Sequence, residues 1–156
     1  MRRCSIMFVM VTIWCVAAAA QEPADTLTDE QLIIETTSDY IEGWYEGNPI
    51  RMDRALHPDL AKRGLRAFEK TGGTILSHAS ASTMVEYTKA GLGKLKPDET
   101  ANIEIEVLDI DKNIASVKVS SVKFIDYIHL ARSEGRWQIV NVLWEPAMPP
   151  AAGGGR

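Results

Sequence analysis

From Ile103 to Trp144 apolar and polar positions alternate in four runs separated by compact turn segments. Ile103, Ile105 and Val107 alternate with Glu104 and Glu106, and Val117 and Val119 alternate with Lys118 and Ser120. That period of two belongs to strands buried on one face. A two-residue turn at Lys112-Asn113 would set Val107 opposite Lys118 and place a charge on the apolar face. A three-residue turn at Asp111-Lys112-Asn113 sets Val107 opposite Val117 and Ile105 opposite Val119. A one-residue slip exchanges the two faces, so the second register is expected. Asn113 is then expected in the left-handed position of that turn.

The second hairpin is expected to close at Glu134-Gly135. Pairing outward from that turn sets Leu130 against Ile139, Ile128 against Asn141 and Asp126 against Leu143. One face then carries Phe124, Asp126, Ile128, Leu130, Trp137, Ile139, Asn141 and Leu143. The other carries Ile125, Tyr127, His129, Gln138, Val140, Val142 and Trp144. Both faces hold large apolar side chains, so one should pack on helices and the second should meet another subunit.

The first half changes period. Thr28 with Gln31 three residues later fits a capping box, and Ile33, Thr37, Tyr40, Ile41 and Trp44 recur at helical spacing up to Gly47. Asn48-Pro49 restarts the chain as a cap and first-turn pair, which predicts a short helix through Ile50, Met52 and Leu56 ended by Pro58. Leu60 to Ser77 reads as two short strands broken at Gly64 and Gly72-Gly73. Ser80 or Ser82 caps a third helix, with Met84, Val85, Thr88 and Leu92 as its stripe and Gly91 and Gly93 beyond it. Helices first and hairpins after point to an α+β fold.

Charge and targeting signals restrict the setting. Arg2 and Arg3, the apolar run Ile6 to Val16 and the small residues Ala18-Ala19-Ala20 have the form of a cleaved export signal, too short to span a bilayer. The expected division is a signal peptide over 1–20, a flexible N-terminus over 21–28, one domain over 29–145 and a disordered tail over 146–156. The expected destination is the periplasm or the exterior, with no membrane attachment after cleavage. Both cysteines, Cys4 and Cys15, fall in the removed segment, so no disulfide or thiol chemistry is expected of the mature chain. The whole 156-residue chain has a formal charge of −4, and cleavage removes two arginines. An acidic domain makes a poor generic partner for nucleic acid.

Three segments together resemble the putative lumazine-binding family of the nuclear-transport-factor-2-like superfamily. They are the helix from Asp39 to Gly47, the segment from Ala55 to Arg63, and the block from Asn113 through Phe124–Leu130 to Trp137–Trp144. The resemblance implies a conical fold, with a curved antiparallel sheet wrapped around a long N-terminal helix and two further helices. It also implies a hydrophobic pocket and a homodimer formed through the sheet. The same superfamily holds ketosteroid isomerase, scytalone dehydratase, polyketide cyclases and non-catalytic binders, so fold alone leaves function open.

Candidate chemistry centres on Asp126, which the expected register sets among Phe124, Ile128 and Trp137. An apolar wall there would raise a carboxyl pKa and suit acid or base work; a solvated strand-end carboxylate is the plain alternative. Asn141, diagonal to it, is its expected partner. Tyr40, Trp44 and Tyr45 could stack on a flat heterocycle or donate to a carbonyl, although such a stripe also makes ordinary core. His57 of His57-Pro58-Asp59 could overlook the pocket mouth, or could simply satisfy backbone groups at a helix end. His129, with Tyr127 and Trp144, suits a subunit interface. His57, His78 and His129 lack metal-ligand spacing, and no metal or other cofactor is expected.

Three readings follow. The first is an exported protein that binds a small hydrophobic or aromatic heterocyclic ligand, with Tyr40, Trp44, His57, Asp126 and Asn141 as ligand contacts. The second is a ketosteroid-isomerase-like or polyketide-cyclase-like acid/base enzyme, with Asp126 as base and Tyr40 or Asn141 steadying the developing oxyanion. The third is a non-catalytic dimeric interaction module.

Overall fold

A computed structural model describes residues 27–68 and 71–147. The expected export signal and most of the flanking segments lie outside those residues. Among the described residues, three helices and six strands follow in the order α1 (Asp29–Glu46), α2 (Pro49–Ala55), β1 (Leu56–Phe68), β2 (Gly73–Ala79), α3 (Ala81–Lys89), β3 (Glu104–Asp111), β4 (Ile114–Ser120), β5 (Phe124–Ser133) and β6 (Arg136–Pro146). The single sheet has the order β2-β1-β6-β5-β4-β3. Its pairs are antiparallel except β1 with β6, which run parallel. The fold is the α+β arrangement that the periodicity predicts. Among the described residues no helix is long and apolar enough to cross a membrane.

Local chemistry sets the helix starts. The Thr28 hydroxyl accepts from the Gln31 amide at 3.2 Å while Gln31 Oε1 accepts from the Thr28 amide at 2.7 Å, completing the capping box. Asn48 Oδ1 accepts from the amides of Ile50 and Arg51, with Pro49 in the first turn of α2. Ser80, rather than Ser82, caps α3. A charged clamp then joins α1 to α2. Arg51 donates to Asp39 at 3.0 Å, to Glu46 at 2.9 Å and to Glu42, and Arg54 donates to Asp39 at 2.7 Å. Partial burial would raise the Asp39 pKa, but hydrogen bonds from Arg54 and Arg51 outweigh it and hold the carboxyl below its ordinary value.

Three expectations about the chain path need correction. Helix α2 ends at Ala55, before Pro58, because Leu56 is already extended and pairs with Ile139. His57, Pro58 and Asp59 occupy an irregularity of β1, since four residues separate Leu56 from Ala61 while one separates Ile139 from Asn141. A proline inside a sheet is tolerated at such an interruption. Gly64 does not break a strand either, because β1 runs through it for 13 residues.

The hairpins supply the third correction. Val107 faces Val117 and Ile105 faces Val119, the register expected, yet the turn has two residues and its left-handed member is Lys112 rather than Asn113. A bulge at Leu108 restores the register. The second hairpin closes at Glu134-Gly135, both with positive φ, and Leu130 faces Ile139 as expected. Beyond that pair a bulge at Val140 shifts β6 by one residue, so His129 faces Asn141, Ile128 faces Val142 and Asp126 faces Trp144. Val142 and Trp144 therefore join the inner face, while Asn141 and Leu143 move to the outer one. The core gathers Ile33, Tyr40 and Ile41 of α1 with Val117, Val119, Ile128, Leu130, Ile139 and Val142 of the sheet.

Candidate functional site

Between α1, α3 and the inner face of the sheet lies a cavity of about 470 Å³. Its walls include Ile41, Trp44, Met84, Phe124 and Trp144, and its polar residues include Tyr40, Lys62, Arg66, Ser77, His78 and Asp126. That size and an apolar lining with few polar groups are usual for small-molecule sites.

Two wall indoles are seated on glycines. A Cβ built on Gly64 would lie 2.4 Å from Cε2 of Trp144, and one built on Gly93 would lie 2.2 Å from Cε2 of Trp44. Both distances are far inside van der Waals contact, so these positions admit the indoles only without a side chain. Phe124 meets Trp144 edge to face, with ring centroids 5.1 Å apart.

Asp126, Lys62 and Tyr40 form a buried hydrogen-bonded triad. Asp126 is 1% exposed and Lys62 8%. Tyr40 donates its phenolic hydrogen to Asp126 Oδ1 at 2.9 Å, Lys62 Nζ donates to the same oxygen at 3.2 Å, and Lys62 also donates to the Tyr40 oxygen. The ammonium stands 5.0 Å from the Tyr40 ring centroid and 5.3 Å from that of Trp144. Asp126 Oδ2 is buried and has no hydrogen-bond partner among the described residues. Burial pushes the Lys62 ammonium below its ordinary pKa, an effect that the Asp126 charge partly offsets. Burial, with the Asp126 carboxylate beside it, pushes the Tyr40 phenol well above its ordinary value.

The structure brings Tyr40, Trp44 and Asp126 to the cavity and leaves His57 and Asn141 out of its lining. His57 Nδ1 accepts from the Asp59 amide at 3.1 Å, a local turn contact. Asn141 sits on the outer face, where Arg63 donates to its Oδ1 at 3.1 Å and its amide nitrogen lies 3.3 Å from His129 Nδ1. The expected Asp126–Asn141 partnership fails because the Val140 bulge inverts that end of β6. Tyr45 lines no part of this cavity, and its hydroxyl pairs with Ser121 at 2.8 Å. Tyr127 and His129 lie on the outer face, but Trp144 does not join them.

Lys62, Arg66, Ser77, His78 and Trp144 are among the cavity residues that sequence reasoning missed. On β1 the signal was available: Lys62, Gly64 and Arg66 recur with period two, and a glycine inside a strand can mark a close approach rather than a break. Among the described residues no three His, Cys, Asp or Glu side chains gather as a metal site would need.

Comparison with solved structures agrees with the fold. A nuclear-transport-factor-2-like protein of unknown function from Silicibacter pomeroyi is 16% identical, covers 78% of this chain and 100% of its own, and superposes with a TM-score of 0.57. One from Methylobacillus flagellatus is 19% identical over 80% of this chain and 97% of its own, with a TM-score of 0.56. A ketosteroid isomerase-like protein from Erwinia carotovora is 15% identical over 78% of this chain and 100% of its own, with a TM-score of 0.54. Likeness at these identities concerns fold alone. A comparison with curated protein sequences finds no match. The putative lumazine-binding family model matches residues 28–145, and the chain belongs to that family.

Proposed function

We propose that this is an exported protein that binds a small, flat, mostly apolar ligand in the cavity between α1, α3 and the sheet. The observation that carries this reading is the buried Asp126 at an aromatic-walled cavity, with one carboxylate oxygen lacking a partner among the described residues. A buried acceptor left unpaired is costly, so a donor that reached it would be favoured. The family's description, which names lumazine, supports a heterocyclic ligand. Export rests on the arginine-led apolar segment over residues 1–20. The test is titration of the mature chain with lumazine, flavins and a panel of flat aromatic compounds, followed by Trp fluorescence and melting temperature. Saturable quenching with a raised melting temperature is expected from at least one; no response to any of them overturns the reading.

The acid/base enzyme reading draws its support from the burial of Asp126 and from the ketosteroid isomerase-like neighbour. Against it, the Tyr40 hydroxyl is committed to Asp126 and Asn141 faces away, so neither proposed oxyanion donor is free at the carboxylate. Binding without turnover is the better-supported function. Homodimer formation belongs to the same proposal, through the outer face that presents Tyr127 and Leu143, respectively 50% and 43% exposed.

A further inference from the structure

The polar end of the cavity has an ordered pattern of unused hydrogen-bonding capacity. Lys62 carries three ammonium hydrogens, and its acceptors among the described residues are Asp126 Oδ1 and the Tyr40 oxygen, which leaves one hydrogen uncommitted. Asp126 takes both Tyr40 and Lys62 on Oδ1, so Oδ2 is an acceptor without a donor. The two groups are joined by a 3.2 Å ion pair, and both residues line the cavity. An uncommitted donor and an unpartnered, buried acceptor thus belong to two ion-paired residues that line the cavity together with Trp44, Phe124 and Trp144.

We infer that the cavity selects ligands with a lactam edge: a ring carbonyl that accepts from Lys62, adjacent to a ring N–H that donates to Asp126 Oδ2. This rests on the small-molecule-binding reading and names the ligand class for that site. Other edges fit worse. A carboxylate or phosphate would satisfy Lys62 but repel Asp126, and an ester or ether edge presents a lone pair to Oδ2. A pure hydrocarbon would leave both groups unpaired, the expensive outcome in a buried site. The flat rings that commonly carry a lactam edge also suit indole and phenyl walls.

Tyr40 makes the pattern directional. Its hydrogen and that of Lys62 both require an acceptor at the Oδ1 position, so in Asp126→Asn the amide oxygen must take that place and the amide nitrogen must take the place of Oδ2. The variant would then offer a donor where the natural protein offers an acceptor. Its preference should pass from an N–H edge to a ring-oxygen edge.

The experiment is calorimetric titration of the mature protein and of Asp126→Asn with carbostyril, a bicyclic lactam, and coumarin, the lactone of the same shape. The natural protein is expected to bind carbostyril about tenfold or more tightly than coumarin, the loss that follows when a buried acceptor is left facing a lone pair. Asp126→Asn is expected to abolish or invert that preference. Equal binding of the two probes by the natural protein overturns the lactam assignment and leaves the binding function standing. A lactam preference that persists in Asp126→Asn overturns the role of Asp126. Binding of neither probe overturns the assignment, and whether binding as such also falls is decided by the wider panel. If Asp126→Asn does not fold, the comparison of the two probes on the natural protein decides the lactam assignment.

Discussion

Trp144 lies on Gly64, with its indole where a side chain at that position would have to be. The strand that supplies Gly64 also supplies Lys62 and Arg66, and the strand that supplies Trp144 runs parallel to it. One missing Cβ thereby lets an aromatic wall stand beside the buried ion pair. Gly64→Ala should destabilise the fold by about 1–3 kcal/mol through overpacking and should shift Trp emission as the indole is displaced. Urea denaturation and fluorescence spectra check both effects, with Gly93→Ala as the matching change at Trp44. Unchanged stability and emission in both variants would mean that the walls can move freely.

The Asp126–Lys62 pair should behave as a unit. Asp126→Leu leaves the buried Lys62 ammonium without its counter-charge and should cost about 3–5 kcal/mol. Changing both at once, Asp126→Leu with Lys62→Met, removes the charge and the need for it, so the double variant should regain most of that loss. Denaturant melts of the two single variants and the double variant close the cycle. Strict additivity would show that the pair is uncoupled.

Acid should loosen the α1–α2 clamp. Asp39 has a folded pKa below its ordinary value of 3.8, so the stability it contributes is fully present above that value and is lost as pH falls through the lower folded value. Asp39→Asn should lower stability at neutral pH and flatten the decline below 3.8. Thermal melts across the acid range, natural protein against variant, measure the difference between the two slopes. Parallel curves would remove Asp39 from the account.

The outer sheet face should hold two copies together. Tyr127 and Leu143 face each other across β5 and β6, so Tyr127→Lys with Leu143→Lys places charge at the middle of that surface. Light scattering should find a dimer for the natural protein and a monomer for the double variant. A monomeric natural protein at micromolar concentration would end the dimer proposal.

Much of the fold was legible because caps and alternation are local. Thr28 with Gln31 starts α1 as written, and the parity of Val107 and Val117 requires the register observed. The candidate site was legible only in part because alternation counts residues and cannot see a bulge. At Leu108 the extra residue lies in the strand where the turn was expected to hold it, which leaves the register right and the turn wrong. At Val140 it reverses every later assignment on β6, hiding Trp144 and promoting Asn141. Lys62 escaped notice for a different reason: a lysine reads as surface, and only its partner in a distant strand makes it fit for the interior.

The Val140 bulge also bears on how such proteins could diverge. Deleting that one residue would remove the bulge and keep Val142 and Trp144 inward, whereas drawing it into regular pairing would turn Asn141 and Leu143 inward and Trp144 outward without altering any letter of the chain. In a scaffold built this way, the gain or loss of a single bulge can exchange a whole row of contacts at once, where point substitution would have to revise them singly.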